Sequence, residues 1–345
     1  AYMLEDPETD IIIAFIEQFR DPEMLRAVAK RAQELKKPII FIKVGRSAIA
    51  QRATSAHTGA LAGSDAIQDA LFKKLGLIRV DDLDEMFETA RLLSALKEKL
   101  PCGNGIFAVT LSGGVISLLA DVSRDIDIRF PAWSDKGKAE IQKLLSSYSN
   151  VNNPLDAWGS GRIEEFYETC LLTAATEKTA DIVLVVQDVP PGMAQRQVDQ
   201  YSIVANAAVG AAKKLGKPVI MLSNASSGVH PSIKAILDEG GVPVLRGTRA
   251  GMKAIENAIH FAAAHFAEPG NSTQTSVLKY PAHTGNALTE YQSKQVLRQY
   301  DIPCTCEIMC DDVESCVAAA EEIGYPVVMK VMSPRILHKT EAKVI

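Results

Sequence analysis

The sequence predicts an α/β protein: two doubly wound domains with parallel sheets, then the start of a third unit. Three observations predict it. Short β-branched runs alternate with segments of helical period, as strands joined by helical crossovers do. That alternation breaks at "PCGNG" (101–105) and starts again. A polar stretch without period then sets off a shorter α/β piece. The expected divisions are a first domain at 1–100, a second at 101–268, a linker at 269–287 and a last segment at 288–345.

In the first domain the chain is expected to pass from "AYMLEDPETD" straight into a strand. "DIIIAFIE" (10–17) reads as that strand, buried, continuous and short. "DPEMLRAVAKRAQELKK" is a helix with Pro22 in its first turn. "KPIIFIKVG" is a second buried strand. "DAIQDALFKKLG", "LIRV" and "DLDEMFETARLLSALKEKL" follow as helix, strand and helix. In the second domain "IFAVTL", "DIVLVVQDV", "KPVIMLSNA" and "VPVLRG" are strands. "VISLLADVSR", "HPSIKAILDEGG" and "TRAGMKAIENAIHFAAAHF" are helices. In the last segment Thr289 caps "LTEYQSKQVLRQYDIP", "ESCVAAAEEIG" is a second helix, and "YPVVMKV" is a strand.

Composition excludes several functions. The chain is 47% hydrophobic and 23% charged, with a net charge of −5, so it offers no electrostatic footprint for nucleic acid or an anionic membrane. "IIIAFI" is too short to span a bilayer. Six cysteines include no Cys-x-x-Cys and no zinc spacing, and read as free thiols of a reducing cytosol. No acidic cluster has metal-ligand spacing. "GNGIFA" precedes its strand, which argues against a dinucleotide fingerprint.

Ligands of open parallel sheets sit beyond the carboxyl ends of the strands. Glu17 ends the first strand. Lys43, Gly45 and Arg46 end the second and lead into "TSAHTGALAGSD" (54–65), one histidine among small residues. Ser112, Gly113 and Gly114 end "IFAVTL" and open a helix. A neutral imidazole is a nucleophile toward phosphorus near neutral pH. A carboxylate at its other nitrogen fixes the tautomer, and Glu17 is the candidate for His57. The "SGG" amides and helix dipole suit an anion, and Thr58, Gly59 and Ser64 add donors. Each residue also has a plainer reading: a surface histidine, a solvated glutamate, an ordinary helix cap.

These residues resemble the NDP-forming (ADP-forming) acyl-CoA synthetases, relatives of succinyl-CoA synthetase. "GRSAIAQRATSAHTGALAGSD" and "GLIRVDDLDEMFETARLL" carry the resemblance. "IIIAFIEQFRDP", "TLSGGVISLLADV", "NNPLDAWG" and "YPVVMKVMSPRILHKTEAKVI" continue it in the family's order. It implies two flavodoxin-like CoA-ligase domains followed by the start of an ATP-grasp domain. It implies an enzyme that makes acyl-CoA from a carboxylic acid, coenzyme A and ATP, releasing ADP and phosphate. The route runs through an acyl phosphate and a phosphohistidine that exchanges its phosphoryl group with ATP.

By that resemblance His57 is the phosphorylated nucleophile and Glu17 its partner. His338 is a second phosphoryl carrier. Ser112, Gly113 and Gly114 face the phosphate, and Lys330 contacts the nucleotide. Lys330 within an apolar strand also needs an anion in its own right. Asn153 and Asp156 belong to the Asn-Pro-x-Asp motif, and Trp158 beside them is a candidate substrate contact that also reads as a packing residue. The family's CoA-binding domain and the Mg²⁺-binding carboxylates of its ATP-grasp domain have no counterpart here, so a fragment of a longer synthetase is expected. A cytoplasmic homo-oligomer is expected as well. Two rivals stay open: a regulatory relative without full activity, and a small-ligand-binding α/β module.

Overall fold

The computed structural model describes residues 1–19, 21–47, 49–50, 64–97, 99–145, 150–157, 163–214, 216–266 and 288–333. Two compact units divide the chain, Ala1–Glu268 and Pro269–Ile345.

The first unit opens with a short helix, α1 (Tyr2–Glu5), where a direct entry into a strand was expected. Then come β1 (Ile12–Ile16), α2 (Pro22–Glu34), β2 (Ile39–Lys43), α3 (Asp65–Lys74), β3 (Ile78–Val80) and α4 (Leu83–Leu96). The three strands pair in parallel in the order β1-β2-β3. β1 is not the fully buried strand its composition suggested. Ile13 and Phe15 are exposed, because β1 lies at the sheet edge and its outer face lacks a covering helix among the described residues. β2 has a neighbour on each side, and Ile40, Phe41 and Ile42 are buried.

The second sheet holds β4 (Ile106–Thr110), β5 (Leu155–Asp156), β6 (Ile182–Val186), β7 (Val219–Ser223) and β8 (Val244–Arg246). Between and after them run α5 (Gly113–Ser123), α6 (Asp135–Gln142), α7 (Ile163–Thr176), α8 (Gln195–Lys214), α9 (Pro231–Glu239) and α10 (Thr248–Phe266). All five strands are parallel, in the order β5-β4-β6-β7-β8. Counted within the sheet this is 2-1-3-4-5, the flavodoxin-like order, with its switch point between β4 and β6. The α/β class and the flavodoxin-like winding are as expected.

Local chemistry sets the element ends. The Asp21 carboxylate accepts from the Glu23 and Met24 amides, and Pro22 occupies the first position of α2, which needs no amide. Asp82 and Ser134 cap α4 and α6 in the same way. Gly105, just before β4, admits no side chain: a Cβ there would lie 2.0 Å from the Thr179 carbonyl oxygen.

Period-two alternation divides the core. Phe107, Val109, Val183, Val185, Val219 and Met221 face α7, α8 and α9, meeting Tyr167, Leu171, Val204, Ala208, Ile233 and Leu237. Ile106, Ala108, Ile182, Leu184, Ile220 and Leu222 face the other way, onto α5 and α10. That second layer continues through α4 to Ile40, Ile42, Ile78 and Val80 of the first sheet. α4 and α10 are thus shared between the two sheets. Glu88 of α4, 4% exposed, accepts from the guanidinium and amide of Arg246, the last residue of β8.

The second unit contains α11 (Glu290–Arg298) and α12 (Val313–Ile323), each with a reciprocal cap, Thr289 with Gln292 and Asp312 with Ser315. The expected linker at 269–287 lies outside the described residues. "YPVVMKV" is not a strand here. Val328 and Met329 are 74% and 75% exposed, and no strand pairs with them among the described residues; an extended run becomes a strand only through a partner.

Candidate functional site

The chain leaves the first sheet at the end of β2 and returns at the start of α3. Arg79 of β3 touches both points. Its guanidinium donates to the Lys43 carbonyl oxygen at 3.4 Å and pairs with Asp65, with Asp69 at 3.5 Å. The Arg79 side chain is 5% exposed and lies over the Phe72 ring at 5.8 Å. Sequence reasoning passed over this residue, though a charge inside the short apolar run "LIRV" was the signal that a buried anion must accompany it. Lys43 is itself buried, and its ammonium donates to the Val44 carbonyl oxygen at 2.6 Å. Burial, and then the Arg79 charge, hold Lys43 below the usual lysine range. Arg46 pairs with Asp81 beyond β3. Ion pairs of Arg46 and Arg79 with Asp81, Asp65 and Asp69 thus gather at the carboxyl end of this sheet. His57, Thr58 and Gly59 lie outside the described residues. Glu17 is exposed at the carboxyl end of β1.

The second cluster sits beside the switch point. Ser112 is the N-cap of α5 but makes no side-chain capping bond, and Ser112, Gly113 and Gly114 are all exposed. Asp156 ends β5 opposite Thr110. One of its carboxylate oxygens lies 3.2 Å from where a Cβ on Gly113 would sit. The other is buried without a hydrogen-bond partner. A carboxylate therefore already faces the positive end of α5.

Asn153 places Asp156. Its Nδ2 donates to the Ile106 and Pro131 carbonyl oxygens at 2.7 and 2.9 Å, and its Oδ1 accepts from the Ala108 amide at 3.0 Å. Both donors and an acceptor site of this amide are thus spent on backbone. Behind Asp156, Tyr167 is fully buried with an unpartnered hydroxyl. Burial pushes its phenol well above the usual range, with Cys170, Asp156 and Tyr201 adding to the shift. Trp158 lies outside the described residues. Across the switch point Asp188, which sequence reasoning also missed, accepts from the Asn224 and Ala225 amides at 2.6 and 3.2 Å. Its signal was an acidic residue two positions past a fully apolar strand.

Lys330 departs from expectation. It is exposed and not within a strand, and its ammonium pairs with Glu290 at 3.3 Å, so it is not a buried cation awaiting an anion. His338 lies outside the described residues. Among the described residues no three His, Cys, Asp or Glu side chains gather as a metal site. A cavity of about 630 Å³ between α1 and α2 lies beside the amino end of β2, where Lys37 meets the Leu4 and Asp6 carbonyl oxygens, far from the chemistry at the strand carboxyl ends. None of the described helices is long and apolar enough to cross a membrane.

The five-stranded sheet in flavodoxin-like order, with a helix start beside its switch point, defines a doubly wound α/β class. Residues 1–93 match the succinyl-CoA ligase like flavodoxin domain, and residues 279–345 match an ATP-grasp domain. The chain is 29% identical to the ADP-forming 4-hydroxybutyrate–CoA ligase of Nitrosopumilus maritimus over 97% of its own length and 48% of that protein's. It is 32% identical to the alpha subunit of the ADP-forming acetate–CoA ligase II of Pyrococcus furiosus, over 70% of this chain and 51% of that one. Acetyl-coenzyme A synthetase 1 of Ca. Korarchaeum cryptofilum shares the fold, with a TM-score of 0.61 over 76% of this chain and 55% of that one at 24% identity. Over nearly all of its length the chain is thus similar to ADP-forming acid–CoA ligases. It spans about half the length of the curated relatives it matches.

Proposed function

We propose that this chain supplies the phosphoryl-transfer centre of an ADP-forming acid–CoA ligase. Its substrates are a carboxylic acid, coenzyme A and ATP, with ATP bringing Mg²⁺. The observation that carries the reading is Asp156 beside the start of α5. The exposed Gly113 and Gly114 at the start of α5 suit an anionic oxygen, while the Asp156 carboxylate beside Gly113 suits a donor. A phosphate that keeps one proton, or the carboxyl group of an acid, brings both. In this reading Ser112, Gly113 and Gly114 receive the phosphoryl oxygens, Asp156 orients the ligand, and Asn153 holds Asp156 in place.

His57 is the nucleophile in this reading. Its nitrogen attacks phosphorus, and the bond to the acyl oxygen or to ADP breaks, according to direction. Glu17 orients the imidazole, and His338 and Lys330 serve the nucleotide side. Arg79 ties the end of β2 to the start of α3 and so fixes both ends of the segment that carries His57. Trp158 contacts the acid. The enzyme works in the cytoplasm as an oligomer.

The test uses the full-length gene product with ATP labelled in its γ-phosphate. An acid-labile, base-stable label that disappears in His57→Ala is expected. A label that persists in this variant, or a wild type that never takes label, overturns the reading and favours a ligand-binding module.

A further inference from the structure

Four of the six cysteines fall close together, at 304, 306, 310 and 316. Two of these meet at the start of α12. Asp312 caps the helix, accepting from the Ser315 amide at 2.7 Å, and Ser315 Oγ accepts in return from the Asp312 amide at 3.3 Å. This double cap folds the preceding segment back over the first turn. Cys310 Sγ therefore lies 3.5 Å from the Ser315 carbonyl oxygen and 3.7 Å from that of Ile308. Cys316, the residue after Ser315, is a neighbour of that side chain. Both residues are partly buried and both are free thiols.

We propose that Cys310 and Cys316 form an oxidisable dithiol that a hydroperoxide closes to an intrachain disulfide. Cys316 stands in the first turn of α12. Burial pushes the Cys310 thiol up, and Cys316 and Asp311 add to that, so Cys310 acts second. The order of events follows. Cys316 sulfur attacks a peroxide oxygen; the S–O bond forms, the O–O bond breaks, and hydroxide leaves. Cys310 sulfur then attacks the Cys316 sulfenic acid; the S–S bond forms, the S–O bond breaks, and the Cys310 proton leaves with hydroxide as water. The two electrons end on peroxide oxygen, and a dithiol reductant returns them.

The clip would tie the segment ahead of α12 to its first turn, inside the stretch that matches the ATP-grasp domain. The loop it closes is short, so it adds little stability and acts by fixing local geometry. It does not depend on the ligase reading.

The test treats the whole chain with hydrogen peroxide, blocks remaining thiols with iodoacetamide and cleaves after glutamate. Cleavage separates Ile308–Glu314 from Ser315–Glu321. The expected result is these two peptides linked, released by dithiothreitol, with Cys304 and Cys306 alkylated as before. In Cys310→Ser, peroxide should leave a sulfenic acid on Cys316 that dimedone traps. Full alkylation of both cysteines after peroxide overturns the proposal, as does a bond through Cys304 or Cys306 in its place. An equal yield of the same bond in urea-unfolded chain also overturns it, because folding would then contribute nothing.

Discussion

Lys43 shows how one side chain couples the site to pH. It is 6% exposed, and burial lowers its affinity for a proton below the ordinary lysine value of 10.5. Between the lowered value and the ordinary one, the unfolded chain binds more protons than the folded chain. Stability from this group therefore rises with pH through that window, and below it the fold bears the cost of a buried ammonium. Lys43→Met should raise stability at neutral pH and flatten the rise on the alkaline side, as urea unfolding at the two conditions would show. An unchanged slope would place the alkaline titration on another group. Gly113 is the second case. A Cβ there meets the Asp156 carboxylate at 3.2 Å, which forces a shift of a few tenths of an ångström. In the full-length ligase proposed above, Gly113→Ala should leave the melting temperature nearly unchanged but reduce kcat/KM about tenfold, a loss of about 1.4 kcal/mol in transition-state binding.

At the scale of elements, β5 is too short to hold itself. It spans Leu155–Asp156, and its register is Val109 with Leu155 and Thr110 with Asp156. The Asn153 side chain supplies what a longer strand would supply, with bonds to β4 at Ile106 and Ala108 and one to Pro131. Asn153→Ala leaves those backbone groups unpaired around fully buried Ile106 and Ala108. A loss of about 3 kcal/mol is expected in denaturant unfolding. Activity should fall beyond what the unfolded fraction explains, because Asp156 would lose its place. Asn153→Asp keeps the acceptor but not the two donors, and should recover little.

At the scale of the first unit, α4 and α10 bind two sheets into one core. Leu92 of α4 is fully buried in the same cluster as Ile255 of α10, Ile40 of the first sheet and Ile220 of the second. The buried Glu88 adds a charged link to Arg246. Glu88→Ala would leave a guanidinium without its acid, at a cost of about 3 kcal/mol. Hydrogen exchange should then rise together in β2 and β7. Faster exchange in β2 alone would mean that the two sheets unfold independently, against the shared core.

The alternation of β-branched runs with helical segments determined the class, the winding and most element positions, because period and caps are local properties. Thr289 and Pro22 announce their helices in the sequence, and Asp21, Asp82 and Asp312 cap theirs by the same local chemistry. Strand ends followed from the same reading, and with them Glu17 and "SGG". Tertiary structure decided what locality cannot carry. β1 became an exposed edge because sheet order is set by long-range pairing. "YPVVMKV" has no strand partner among the described residues, and an extended run becomes a strand only beside one. Asp156 met Gly113, and Arg79 met Lys43 and Asp65, only because parallel strands bring distant chain segments to one sheet end. The sharing of α4 and α10 between two sheets was equally invisible, since an amphipathic helix records that it has a buried face but not what lies against it.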